Sequence, residues 1–299
     1  MTGAGGKAKI EVIRSFLFAP GNHPRKVAKV FDAGADAVIL DLEDAVAVAE
    51  KPATRSVVVE ALQAPRPCRG YVRINGLETP FALEDLEAVV TPGVDGIIVP
   101  KIETPAQLAT AEWLISALEA KAGLPDGGID ILPIIETGLG LANVRDIAKA
   151  ATRTRWLSFG AGDYTADMAL EWTRGEAECA HARAEIALAS RAAGLAPPFD
   201  TVWIHLQDEA GLVASAETVR TMGYQGKLCI HPAQVAPVNA VFTPDADAIA
   251  FARRVVATFV AAEAEGSASI QVDGYFVDYP IVEKARRTLA IAAAAVVME

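Results

Sequence analysis

Cysteine is scarce in this chain, and its distribution argues against two classes of protein. Cys68, Cys179 and Cys229 are scattered and odd in number. No two have the close spacing of a zinc site, and a secreted chain would more often pair them. Basic charge is also in deficit: 27 Lys and Arg stand against 38 Asp and Glu, a formal net charge of −11. General binding to nucleic acid or to an anionic membrane depends on a net basic surface, so neither is expected. A small basic patch for a phosphate-bearing cofactor remains compatible with that total. Long apolar runs are missing. Residues 1–11 are Gly-rich and polar, without the apolar stretch of a signal peptide, and runs such as 290–298 are too short to span a bilayer. A cytoplasmic, soluble protein is the expectation. Finally, no Gly-x-Gly-x-x-Gly turn follows an early strand, as an open dinucleotide-binding sheet would require.

What is present is ample material for a core: 52% of 299 residues are hydrophobic. Roughly 250 residues is the usual size of an α/β barrel, which leaves a modest C-terminal extension. Short Val- and Ile-rich segments at 14–20, 37–43, 71–75, 96–101, 129–136, 156–160, 201–206 and 227–231 read as strands. Helical spacing lies between them, for example at 24–33, 105–118 and 176–193. Parallel strands need crossover connections, so this alternation predicts a parallel sheet, and eight apolar strands predict closure into a (β/α)8 TIM barrel. The barrel is expected over 1–240, followed by a closing helix and a C-terminal lid or oligomer contact over 241–299. After the eighth strand, 232–237 reads as a turn, 245–265 as a helix, 266–269 as a linker, 270–278 as a strand or hairpin and 280–297 as an Ala-rich helix.

In such barrels the chemistry sits at the C-terminal ends of the strands, and here those ends are polar. The second runs Asp41-Leu42-Glu43-Asp44, the third carries Arg73 and Asn75, the fourth ends Lys101-Ile102-Glu103. The fifth ends in Glu136, the sixth runs into Asp163, and the eighth ends in His231. Residues two apart on a strand share a face, so Asp41 and Glu43 should point together, as should Arg73 and Asn75. Glu136 and Asp163 fall at equivalent positions on neighbouring strand ends. Two carboxylates there repel unless a cation or proton lies between them, and Mg²⁺ takes one or two carboxylates, waters and substrate oxygens. Arg73 opposite them is suited to a carboxylate or an enolate oxygen.

Each residue taken alone has a plainer reading. Glu136 is equally a helix cap or ion-pair partner, and Arg73 equally a structural arginine. Asp44 and Asp208 resemble caps or loop residues, and His231 a structural histidine. Lys101 ends a strand as a Schiff-base lysine would, but acidic neighbours such as Glu103 raise an amine's pKa, the wrong direction for a nucleophile. The Gly160–Gly162 segment leads into Asp163 and Tyr164 rather than into a helix start that cradles phosphate. Trp172 reads equally as pocket lining or as packing. In the segment Pro20-Gly21-Asn22-His23-Pro24-Arg25-Lys26, Pro24 suits a first helical turn with Asn22 or His23 as N-cap. With Lys29 nearby, that helix start is an anion site or merely a solvated basic face.

The ordered motifs Arg14-Ser15-x-Leu17-Phe18-x-Pro20-Gly21-Asn22, Asp41-Leu42-Glu43-Asp44-Ala45-Val46, Arg73-x-Asn75, Pro100-Lys101-x-Glu103, Ile135-Glu136-Thr137, Phe159-Gly160-x-x-Asp163-Tyr164 and Ile230-His231-Pro232-x-Gln234 resemble the HpcH/HpaI aldolase and citrate lyase β-subunit family. The resemblance extends from Arg14 to about Ala290. Its tail, Val272-Asp273-Gly274-x-x-Val277-Asp278-x-Pro280, is similar to that of the longer malyl-CoA and citramalyl-CoA lyase-like members, whereas the shorter citrate lyase complex subunits resemble the chain less beyond the barrel.

The resemblance implies a Mg²⁺-dependent carbon–carbon lyase acting on a 3-hydroxyacyl-CoA thioester that also carries a carboxylate. It assigns Glu136 and Asp163 to the metal, Arg73 to the thioester enolate, and Glu43 and Asp44 to the metal's water shell. It assigns Asp278 to acid/base chemistry from a neighbouring subunit's lid, and Pro20, Gly21, Asn22, Arg25 and Lys26 to the CoA. A homo-oligomer, trimer or hexamer, with a shared active site follows from the same resemblance. Retro-Claisen cleavage gives an enolate and a metal-chelating 2-oxo acid, in keeping with the carboxylates and arginine at the strand ends. The alternatives are a malyl-CoA-type thioesterase, a citrate lyase β subunit acting on citryl-acyl-carrier protein, and an idle barrel that only binds CoA esters.

Overall fold

A computed structural model describes residues 12–296. The polar start at 1–11 and the last residues, 297–299, lie outside the described part. Eight parallel strands close into a barrel in sequence order: β1 (Ser15–Pro20), β2 (Ala37–Asp41), β3 (Arg69–Arg73), β4 (Gly96–Val99), β5 (Asp130–Ile135), β6 (Ser158–Phe159), β7 (Phe199–Asp200) and β8 (Gly226–Cys229). Closure is made by β1 against β8, with Phe16 beside Leu228 and Leu17 beside Cys229. The expected (β/α)8 TIM barrel is the fold observed.

The longer strands are apolar on both faces because each packs two ways. Inside, Phe16, Ile39, Tyr71, Ile98, Leu132, Ile134, Phe199 and Leu228 fill the barrel. The Phe16 ring meets Tyr71 and Phe199 edge-on, with centroids 5.0 and 4.8 Å away. Gly96 makes room for this layer, since a Cβ there would stand 2.1 Å from the Tyr71 ring. Outside, Leu17, Val38, Leu40, Val72, Ile97 and Ile131 pack under the surrounding helices. The longest of these, Pro105–Ala122, starts on a capping box between Thr104 and Gln107 and ends at left-handed Gly123.

The N-terminal rim is tied by ion pairs. Arg14 grips Asp36 through Nε and Nη2 at 2.9 and 2.8 Å. Asp130 takes Arg69, Arg155 and the Tyr71 hydroxyl. Arg66 pairs with Asp95.

Several element assignments differ from the sequence reading. The seventh strand is Phe199–Asp200 and not 201–206, which runs irregularly after it. The turn expected at 232–237 is a 3₁₀ turn, Pro232–Gln234, followed by a helix, Val235–Phe242. A short helix, Ala161–Asp167, begins directly after β6, so the Gly160–Gly162 segment does open a helix, one with Asp163 in its first turn.

The chain divides into one unit of Ile13–Phe242 and a second that takes in Thr243 onward. In the second, the helix Ala246–Ala264, the hairpin β9 (Ile270–Val272) and β10 (Tyr275–Val277), and the helix Tyr279–Val296 enclose a small core of Val255, Phe259, Val272, Val277 and Val282. The hairpin turns through Asp273 and Gly274, both left-handed at φ 50° and 84°. No described helix is long and apolar enough to cross a membrane.

Candidate active site

Asp41 and Arg73 are the last residues of β2 and β3 and pair directly in the ladder, so their side chains rise together at the C-terminal mouth. The guanidinium meets the carboxylate at two points, Nε to Oδ1 and Nη2 to Oδ2, each 2.7 Å. Burial opposes the charge on Asp41, but Arg73 and the amides of Glu43 and Ala45 outweigh it and hold its carboxyl below the usual value. Those amides, 3.0 and 3.1 Å from Asp41, fold the loop so that Glu43 returns to the same guanidinium, 3.1 Å from Nη1. The Arg73 guanidinium also lies over the Phe18 ring, 4.9 Å from its centroid.

Behind this loop the buried Lys51 ammonium donates to the carbonyls of Leu42 and Glu43, at 2.9 and 2.6 Å, and to Asn75 Oδ1 at 2.6 Å. Asn75 in turn donates to Asp85. It was expected to share a face with Arg73, but β3 ends at Arg73 and the alternation stops there.

Lys101 stands at the centre. Its backbone is left-handed at φ 52°, which an L side chain rarely adopts. Its amide donates to Glu136 Oε1 at 2.9 Å, and its ammonium lies 2.6 Å from Glu43 Oε1, 3.6 Å from Asp163 and 3.9 Å from Asp44. Burial disfavours that charge, but Glu43, Asp163 and Asp44 together raise its pKa. The amine is therefore no nucleophile, as expected, although the carboxylates responsible come from other strands and not from Glu103.

Glu136 follows β5 and is 3% exposed. Burial, against the pull of Arg73 and with the repulsion of Asp163 and Glu43, pushes its carboxyl up to about 8. Burial likewise raises Glu43 despite Arg73 and Lys101. Gly160 leaves the space Glu136 occupies: a Cβ there would stand 2.3 Å from Oε2. Asp163 is not at a strand end equivalent to that of Glu136. It reaches in from the first turn of Ala161–Asp167 and is more exposed.

The structure thus brings Arg73, Glu43, Asp44, Glu136 and Asp163 into one cluster, and adds Asp41 and Lys101. Asp278 lies in the other unit, half-buried between β10 and the last helix. The 20–26 segment begins where β1 ends. The Gly21 amide donates to Asp41 O at 2.9 Å, and a Cβ at Gly21 would clash with that oxygen at 2.7 Å. Asn22 donates to Glu50 at 2.6 Å while its own Oδ1 is buried without a partner. His23 is the N-cap of Pro24–Val30 but makes no side-chain capping bond, and Arg25, Lys26 and Lys29 are exposed. His231 and Asp208 cap helical turns, accepting from Ala233 and Gly211. Trp172 is partly buried against the core.

Charged groups from successive strands, gathered at the C-terminal mouth of a closed barrel, define a (β/α)8 enzyme. The HpcH/HpaI aldolase/citrate lyase family matches residues 14–232. The chain belongs to that family, and as an enzyme it is a carbon–carbon lyase. It is 40% identical to the citrate lyase subunit beta of Leuconostoc mesenteroides subsp. cremoris over 93% of each chain. It is 35% identical to the L-malyl-CoA/beta-methylmalyl-CoA lyase of Rhodobacter capsulatus, covering 91% of this chain and 92% of that one. The crystal structure of CitE from Mycobacterium tuberculosis in complex with magnesium, acetoacetate and coenzyme A superposes with a TM-score of 0.75 at 31% identity, over 94% of this chain and 98% of the other. The coverage of the citrate lyase subunit corrects one expectation: the tail beyond the barrel does not set this chain apart from such subunits.

Proposed function

We propose that the protein cleaves, or in reverse forms, a carboxylate-bearing 3-hydroxyacyl-CoA thioester such as malyl-CoA or citramalyl-CoA, giving an acyl-CoA and a 2-oxo acid, with Mg²⁺ as cofactor. The observation that carries this reading is Arg73, locked by Asp41 beside a buried carboxylate, Glu136, whose charge the site leaves unbalanced. Five carboxylates, Asp41, Glu43, Asp44, Glu136 and Asp163, gather around the cations Arg73 and Lys101, with the Lys51 ammonium behind the loop. Among the described residues no three His, Cys, Asp or Glu form a metal cage. Mg²⁺ needs only one or two protein carboxylates, since it keeps waters and substrate oxygens in its shell.

Glu136 and Asp163 would hold the ion, Gly160 leaving the room in which the Glu136 carboxylate sits. When bound, Mg²⁺ supplies a Lewis acid and a template for the oxygens of the 2-oxo acid. In cleavage the C2–C3 bond breaks, its electron pair passes into the thioester as an enolate, and the hydroxyl proton passes to water in the mouth as the 2-oxo group forms. Arg73 meets the charge that develops on the thioester oxygen, and the Asp41 fork fixes it beforehand so that little reorganisation is needed. Glu43 and Asp44 bond waters at the rim. Asp278 of a neighbouring copy in a homo-oligomer protonates the enolate carbon. Gly21 and Asn22, with Arg25 and Lys26, face the CoA, the two basic residues being free for phosphate.

A second reading is favoured by one observation: the 40% identity to a citrate lyase subunit beta. In that case the thioester is carried by an acyl-carrier protein. Product analysis with Mg²⁺ and a panel of hydroxyacyl-CoA esters, alongside citryl-acyl-carrier protein, tests both. Acyl-CoA plus 2-oxo acid is the expected outcome. Turnover of the carrier-protein ester alone supports the second reading, and free CoA without acyl-CoA indicates a thioesterase and overturns both.

A further inference from the structure

Lys101 holds two carboxylates with different parts of itself. Its amide bonds Glu136 Oε1 while its ammonium bonds Glu43 Oε1 and stands 3.6 Å from Asp163. The left-handed backbone at φ 52° makes this double engagement possible, since it turns the residue out of line with β4, and the chain rejoins β5 only at Ile102, whose amide donates to Ile134 O. Glycine would adopt that conformation freely and offer the same amide. What lysine adds is the ammonium, at the cost of an unfavourable φ.

The two cations of the mouth are not equivalent. Arg73 is committed to Asp41 through a two-point fork on a buried partner. Lys101 is a point charge on a flexible stem, 28% exposed, with single contacts to Glu43, Asp44 and Asp163.

We propose that Lys101 is a positioning residue that acts as a resident counter-cation: it competes with the divalent ion for Asp163, holds Glu43 away from that ion, and so limits how tightly the mouth binds metal on its own. This rests on the assignment of the ion to Glu136 and Asp163. An ammonium this close to a ligand carboxylate repels an incoming divalent ion and partly neutralises its ligand. Loss of that charge should therefore tighten metal binding, whereas loss of a merely structural contact would loosen it.

The test is a calorimetric titration of the folded, metal-free full chain with Mg²⁺ alone. Lys101→Met is expected to lower the Kd for Mg²⁺ roughly tenfold. Lys101→Arg, which keeps the charge, should stay within about twofold of the parent. An unchanged or weaker Kd for Lys101→Met overturns the proposal, and Lys101→Gln carries the same expectation if the Met chain does not fold. If the parent binds no Mg²⁺, or Glu136→Gln binds it as well as the parent, the metal assignment itself falls and this proposal with it.

Discussion

Arg73 and Asp41 meet end to end across adjacent strands, with both contacts of the fork at 2.7 Å and the carboxylate only 1% exposed. Removing one partner of a buried pair leaves the other uncompensated. Asp41→Asn should therefore cost about 3 kcal/mol of stability near neutral pH and lower kcat more than it raises KM. The Asp41 carboxyl is held below its usual value, so its contribution is present above the ordinary aspartate range and lost as pH falls through the depressed value. Urea unfolding of parent and variant should show the gap closing in acid. A gap that persists there would count against this account.

Glu136 works in the opposite sense. Its carboxyl is pushed from 4.5 up to about 8, so between those values the metal-free folded chain holds a proton that the unfolded chain has lost. Stability should fall as pH rises across that window and level off above it, and Glu136→Gln should flatten the slope, leaving the smaller part that Glu43 contributes. Mg²⁺ binds the ionised form, so the rise in melting temperature it causes should be larger at about pH 9 than at about pH 6. Melting curves with and without Mg²⁺ at both values check this.

Gly160 has φ −118° and ψ 95°, a conformation alanine adopts without strain. Its added methyl would nevertheless stand 2.3 Å from Glu136 Oε2 and 2.7 Å from Glu136 Cβ. Gly160→Ala should leave the circular dichroism spectrum unchanged and lower Mg²⁺-dependent kcat/KM by roughly 100-fold, because small misplacements at a reacting centre are costly. Activity within about twofold of the parent would mean that the carboxylate need not stay where it is.

Asp278 sits outside the unit that bears Arg73. If a neighbouring copy supplies it, inactive Asp278→Asn and inactive Arg73→Ala chains should recover about a quarter of parental activity when mixed in equal amounts, by the statistics of shared sites in closed oligomers. No recovery, with subunit exchange demonstrated by mass spectrometry, would place both residues in separate roles within one chain.

The barrel was legible because its longer strands, β1, β2, β4 and β5, carry apolar residues on both faces. The seventh strand, β7, was misplaced for a physical reason. Its two residues are Phe199 and Asp200, and a buried aspartate reads as loop until Arg183 and Lys227, from elsewhere in the chain, are seen to neutralise it. The apolar Val202, Trp203 and Ile204 that follow looked like the better strand. The helix Val235–Phe242 was hidden by Pro237, which falls in its first turn, where a missing N–H costs nothing. In the site, Arg73, Glu136 and the Asp41–Glu43 pair could be read from strand-end positions. The partners of Lys101 could not, because Glu43, Asp44 and Asp163 converge on it only after closure. The turn of Asn75 toward Lys51 and Asp85 depends on where β3 stops, which local pattern does not specify.

The pairs that lace the lower edge of the barrel, Arg14 with Asp36 and Arg69 and Arg155 with Asp130, share no residue with the groups at its upper opening. The lower edge is thus held by ion pairs that take no part in the chemistry above, where the Arg73–Asp41 pair serves both. Side chains around the opening can be exchanged while the clasp beneath stays fastened.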